Sequence, residues 1–259
     1  MYKILFLLLL PLFSFAKFQV TTYFPLESFL VKKISGNQVK TKEIQNRFLP
    51  DFIELSRSEL SRLSGVKIYF HFGLDVELKY AKILQKFNSE LIIIDLSSGI
   101  DKIDNNHYIW MDPLLLRDVA KNIYDSLIKV DRLNKKLYEE NYNNFLDELD
   151  QTFLRIKEKM YQSQSFNFFV YDDYWFYFAK RFRINLFKRE KTYVKASDIK
   201  EVFMFSQKKS INKLIINEGD SYTIAKSLSN SCNIDIVENN PFKELLLINQ
   251  LEFAQEISK

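Results

Sequence analysis

DRLNKKLYEENYNNFLDELDQTFLRIKEKMY, residues 131–161, is the stretch on which the fold turns. Its side chains Tyr138, Tyr142, Phe145, Leu149, Phe153, Ile156 and Met160 recur at steps of three or four, so one apolar stripe runs along a single helix. At a rise of about 1.5 Å per residue such a helix is about 45 Å long, more than one small domain needs. It lies between two series in which short apolar runs alternate with helical patterns. The plain alternative is a core helix of one domain. Its length and position favour a helix that runs along two α/β lobes and joins them.

Upstream, FQVTTYF (18–24) and QVKTKEI (38–44) read as strands flanking the helix PLESFLVKKIS. Ser56 and Glu59 form a capping box, each side chain satisfying a backbone donor where a helix begins. VKIYFHF (66–72) alternates, with Val66, Ile68, Phe70 and Phe72 on one face and Lys67, Tyr69 and His71 on a polar face. LIIID (91–95) is a continuous apolar run, expected of a strand covered on both faces. Asp112 then reads as an N-cap with Pro113 at the first helical position, followed by Leu116, Ala120, Ile123 and Leu127 at helical spacing. Downstream, FNFFVY (166–171), RINLF (183–187), KLIIN (213–217) and NIDIV (233–237) form the second series. The expected class is α/β: two similar lobes with mainly parallel sheets, residues 17–130 and 163–259, bridged by one long helix at 131–162.

The first sixteen residues, MYKILFLLLLPLFSFA, read as a signal peptide with one basic residue, an apolar run and small residues before the cut. The run is shorter than the roughly 20 residues a membrane span takes. Cleavage is expected after Ala16, leaving an exported, soluble chain without a lipid anchor, since no cysteine lies near the cut. Cys232 is the single cysteine, which excludes an internal disulfide and suits a small buried hydrophobe. The 37 Lys and Arg are scattered among 33 Asp and Glu, and the net charge of +4 falls to +3 without Lys3. With no basic stripe, nucleic acid is not an expected partner.

Ligands of parallel α/β sheets collect beyond the carboxyl ends of the strands. Asp172 and Asp173 follow FFVY there, Glu218 follows LIIN, Glu238 follows IDIV, and Asp51 sits after the second strand. His107 and Tyr108 precede the helix at Asp112. These groups suit a cation site between the lobes, although carboxylates at strand ends are common without one. Asp172 and Asp173 are not a catalytic pair, because neighbours on an extended chain point apart. No nucleophile elbow or phosphate loop is present, so an enzyme is not expected. His71, on the polar face of its strand, is read as structural or surface, and Trp110 as core.

The chain resembles the solute-binding proteins of zinc and manganese ABC transporters over nearly all of its length after residue 16. Those proteins open with a strand and a Phe/Tyr-Pro-Leu turn, as in VTTYFPLESFL here. Their Pro-His-x-x-Glu segment and Gly-Leu-x-x-Glu strand end are similar to PDFIE and GLDVE, with Glu54, Gly73, Leu74 and Glu77 in place. Their His-x-Trp-x-Asp-Pro is matched at Trp110, Asp112 and Pro113. The resemblance implies a periplasmic, monomeric protein that carries a divalent transition-metal ion, zinc or manganese and in some cases iron, to a membrane permease. It also implies a ligand set, and here the sequence departs from the family. Asp51 stands where zinc-binding members have histidine, and Tyr108 stands at the second histidine with His107 one step away. Asp172 takes the third position, while the fourth falls on Asn240 with Glu238 two residues off. The family's His- and Asp-rich loop is missing. Asp51, Tyr108 and Asp172 offer oxygen, which moves preference toward harder ions such as manganese or iron. The sequence leaves open whether His107 or Tyr108 serves, and whether the altered set still holds an ion.

Overall fold

The two halves of the chain build the same sheet twice. The computed structural model describes residues 17–45, 50–163, 165–189 and 198–259. In the first lobe, β1 (Gln19–Thr22), β2 (Lys40–Glu43), β3 (Ile68–His71) and β4 (Ile92–Asp95) lie in the order β2-β1-β3-β4. In the second, β5 (Asn167–Val170), β6 (Asn185–Lys188), β7 (Lys213–Ile216) and β8 (Asp235–Glu238) lie in the order β6-β5-β7-β8. Every pairing in both sheets is parallel. The expected signal peptide, residues 1–16, lies outside the described residues.

Parallel neighbours need crossovers, and helices supply them. Helix α1 (Pro25–Ser35) follows β1, α2 (Arg57–Leu63) precedes β3, and α3 (Asp75–Phe87) follows it. Helix α4 (Leu116–Val130) and the long α5 (Lys135–Tyr161) separate the sheets. The second lobe carries α6 (Phe176–Phe182), α7 (Ile199–Lys208), α8 (Tyr222–Cys232) and α9 (Leu246–Ser258). Pro25 opens α1 at a position where its missing N–H is not needed. Gly36 closes it at φ +55°, its N–H bonding Lys32 O at 2.9 Å. Ser56 and Glu59 close the capping box at the start of α2 as the sequence requires.

Helix α5 is 27 residues long, about 40 Å at the usual rise. It buries Tyr138, Phe145, Leu149, Ile156 and Met160 along one stripe. Helices α1 and α4 pack on it from the first lobe and α9 from the second. One apolar core therefore runs from Val20 and Ile68 through Leu127 and Leu149 to Phe168 and Phe253. A smaller core, with Phe169, Leu214, Leu228 and Cys232, covers the other face of the second sheet.

Three local expectations change. Strand β3 is buried on both faces, including Tyr69 and His71, because β1 and β4 flank it and helices cover both sides. The apolar run at β4 belongs to an edge strand, and Ile92 is 42% exposed. Asp112 does accept a backbone N–H, that of Leu114 at 2.9 Å, but regular helix begins only at Leu116.

Candidate functional site

In the strand order 2-1-3-4 the chain leaves the first and third strands toward opposite sides, which opens a crevice beyond their carboxyl ends. The same switch occurs between β5 and β7, and loops of the two lobes touch where Asn106 meets Asp173 and Tyr108 meets Tyr174. The residues placed there come from five separate segments.

Asp51 lies exposed in the irregular segment that precedes α2. Its carbonyl accepts the hydroxyl of Tyr23, which is fully buried just after β1. The carbonyl of Ile53 accepts the hydroxyl of Tyr80 in the same way. The Phe52 ring stacks on Tyr80 at 5.3 Å, and Lys79 Nζ sits 3.4 Å from its centre. Two phenols thus anchor a segment that has no regular structure of its own.

The segment before α4 is set by Asn106. Its Oδ1 accepts the N–H of Tyr108 at 2.9 Å and its Nδ2 donates to Asp173 O in the second lobe at 2.9 Å. His107 and Tyr108 consequently point to different lobes. The His107 ring places Nδ1 3.2 Å from Phe72 O, at the end of β3. Gly73 leaves room for it: φ is +89°, and a Cβ there would stand 3.2 Å from that nitrogen. Tyr108 packs edge-on against Tyr174 at 4.8 Å and against Trp110 at 5.4 Å. Phe242 touches Tyr108, Trp110, Tyr174 and Phe24, giving the crevice an aromatic floor.

In the second lobe Asp172 is half-buried after β5, and Asp173 is exposed and paired with Lys188 at 2.6 Å. Tyr174 records which charges share the crevice. Its hydroxyl is held above the ordinary range first by burial, then by the carboxylates of Asp172, Asp220 and Asp51. Asp51 of the first lobe and Asp172 and Asp220 of the second therefore act on one phenol. Asp220 also contributes, after burial, to pushing the Tyr171 hydroxyl up to about 12. Glu238 ends the edge strand β8, where its side chain is exposed. The Asn240 position is buried, with Nδ2 donating to Glu218 Oε2 at 2.6 Å.

Sequence reasoning missed Tyr174 and Asp220. Tyr174 stands two residues beyond Asp172, in the aromatic stretch YWFYF (174–178), where nothing sets it apart. Asp220 caps its own turn, with Oδ2 accepting Asn217 N at 2.8 Å, which reads as ordinary turn chemistry. Among the described residues no three of His, Cys, Asp and Glu stand close enough to hold a metal ion together. Carboxylates of both lobes thus act on Tyr174 above an apolar floor, and their summed negative charge attracts cations.

Two like α/β lobes, a joining helix and an acidic crevice between strand ends define a solute-binding protein. The chain belongs to the family described as zinc-uptake complex component A, periplasmic, whose model matches residues 20–251. That family consists of metal-capturing transport components and is not a family of enzymes. No curated protein matches the sequence. The fold is that of a crystal structure of ZnuA, at TM-score 0.85 and 21% identity over 94% of this chain and 98% of that one. A zinc-bound variant of AdcAII from Streptococcus pneumoniae superposes at 0.79 and 18% identity, over 94% of this chain and 100% of that one. A manganese-bound variant of a periplasmic metal-binding protein from Candidatus Liberibacter asiaticus gives 0.77 and 16%, over 93% and 98%.

Proposed function

We propose that this chain captures a divalent transition-metal ion in the crevice between its lobes and hands it to a membrane permease of the ABC type. The supporting observation is that Asp51 from one lobe and Asp172 from the other act on the same Tyr174 hydroxyl. Tyr108 packs against that ring and is the third donor. His107, bonded toward Phe72, and Glu238, exposed on its edge strand, stand outside this group unless their loops move. An oxygen-rich set favours manganese or iron(II) over zinc, the ion in the family's description. The protein is taken to work in the periplasm as a monomer after removal of residues 1–16, and without nucleic acid.

A second reading has one observation behind it. Among the described residues the carboxylates do not form a group of three able to hold a metal, which suits a member whose site has degenerated into an interaction surface or a pocket for another small ligand. Elemental analysis of protein purified from its native compartment, repeated with Asp172→Ala, separates the two. Capture requires a stoichiometric transition metal in the wild type and at least a tenfold drop in the variant, a loss of about 1.4 kcal/mol or more. Equal metal content in both proteins would remove Asp172 from the site, and no metal in either would favour the degenerate reading.

A further inference from the structure

Glu27 and Glu77 are carboxylic side chains with no exposure to solvent, and both sit at the switch point of the first sheet. Glu27 is in the first turn of α1, and its Oε2 accepts Tyr23 N at 2.7 Å and Phe24 N at 3.0 Å. Glu77 is in the first turn of α3, and its Oε2 accepts Phe72 N at 3.1 Å and Leu74 N at 2.7 Å. Each carboxyl thereby ties together the loop between a strand and its helix. Neither Oε1 meets a donor from the rest of the described chain. The two carboxyls lie beside each other at the ends of the paired strands β1 and β3, close enough for the charge of Glu77 to act on Glu27. Two ionised carboxylates out of water repel and can only accept, so a proton on one of them is what would give the two bare Oε1 atoms a donor.

We propose that Glu27 and Glu77 share one proton at neutral pH and act as a positioning clamp for the first lobe's half of the crevice. The first loop holds the Asp51 segment, and the second meets His107, the residue before the donor Tyr108. Tyr23, from the first loop, holds Asp51 by its carbonyl, and Phe72, from the second, offers its carbonyl to His107. The titratable groups facing the pair are Tyr23, Tyr69 and His71, with Tyr80 behind Tyr23. Tyr69 Oη donates to Glu77 O, a backbone atom, and so does not supply the missing proton.

The proton has a measurable sign. Burial first, and the charge of Glu77 second, hold the Glu27 carboxyl well above its ordinary 4.5. The folded chain therefore keeps a proton that the unfolded chain releases. The associated stability is complete below the unfolded value and is lost as pH rises through the folded one. Glu27→Gln supplies a permanent donor to Glu77 and keeps an acceptor for the two backbone N–H groups.

Thermal unfolding of the mature, cation-free chain from about pH 5 to about pH 9 is then expected to show Glu27→Gln gaining on the wild type as pH rises. Parallel curves would overturn the shared proton. So would the absence of a protonated-carboxyl stretch in the infrared spectrum of the wild type at neutral pH, a measurement that needs no variant. The positioning half rests on the capture reading above and is read by manganese titration at neutral pH. Glu27→Gln is expected to bind within about twofold of wild type, and Glu27→Ala about tenfold more weakly. A folded Glu27→Ala that binds as the wild type does would overturn positioning. Wild type that binds no cation would overturn it together with the capture reading, while the unfolding and infrared results would still decide the proton.

Discussion

His107 and Tyr108 are consecutive, yet one turns to the end of β3 and the other to the second lobe. The cause is local: Asn106 bonds both its neighbour's backbone and the opposite lobe, and Gly73 leaves a gap the imidazole fills. In a manganese titration, His107→Ala should therefore stay within about twofold of wild type, a difference of about 0.4 kcal/mol. Asp173→Ala should do the same, since that carboxylate faces Lys188 at the surface. A tenfold loss in either variant would contradict this placement. His71 carries a separate expectation. Burial is the main cause of its lowered affinity for a proton, so the unfolded chain binds a proton more readily than the folded one. Its stabilising effect is complete above the unfolded value near 6.5 and is lost as pH falls. His71→Leu should accordingly flatten the fall in Tm between about pH 7 and pH 5.

At the scale of elements, α5 carries the most weight. Leu149 is fully buried in the stripe that meets both lobes, and Leu154, on the opposite side, is 60% exposed. Leu149→Ala should cost about 2–5 kcal/mol of unfolding free energy, and Leu154→Ala no more than about 0.5 kcal/mol. Chemical denaturation of the two variants checks the difference. The periodicity of α5 was legible because one face of a surface-crossing helix must stay polar. Strands β3 and β4 were less legible for a related reason. Exposure depends on the strand's place in the sheet, and neighbours in a sheet are set by contacts far apart in sequence. The alternation at 66–72 suggested a wet face, but β3 is interior and both of its faces are covered. The unbroken apolar run at 91–95 suggested full burial, but β4 lies at the edge.

Across the whole molecule, the lobes are fastened together by more than α5. Asp112, buried before α4, takes two contacts from Arg181 Nε, at 2.9 and 2.8 Å, and one from Arg181 Nη2 at 2.8 Å. Trp110 Nε1 donates to Pro241 O at 2.8 Å, and Gln250 Nε2 donates to Trp110 O at 2.7 Å. Removing the arginine leaves a buried carboxylate without its partner, so Arg181→Met should lower stability by about 3 kcal/mol. A change below 1 kcal/mol in denaturant unfolding would show that the pair is not a structural tie. With these contacts and a shared core, the lobes cannot swing apart as rigid bodies on a free hinge. Capture should then proceed through movements of loops. Small-angle scattering with and without saturating manganese tests this, and the radius of gyration should change by less than about 0.5 Å on a chain of this size. A contraction of several ångströms would indicate hinge closure instead.

The order of elements, the joining helix, the cap at Ser56 and the burial of Cys232 and Trp110 were all determined by the sequence itself. Those features follow from periodicity, capping chemistry and side-chain hydrophobicity, which act between residues close along the chain. The partners in the crevice were decided only by the tertiary structure. The charges of Asp51, Asp172 and Asp220 reach Tyr174 because folding brings segments far apart in sequence to one side of both sheets. The same packing makes Glu27 and Glu77, fifty residues apart in sequence, buried neighbours. Electrostatics falls off with distance in space, and that distance does not exist until the chain has folded.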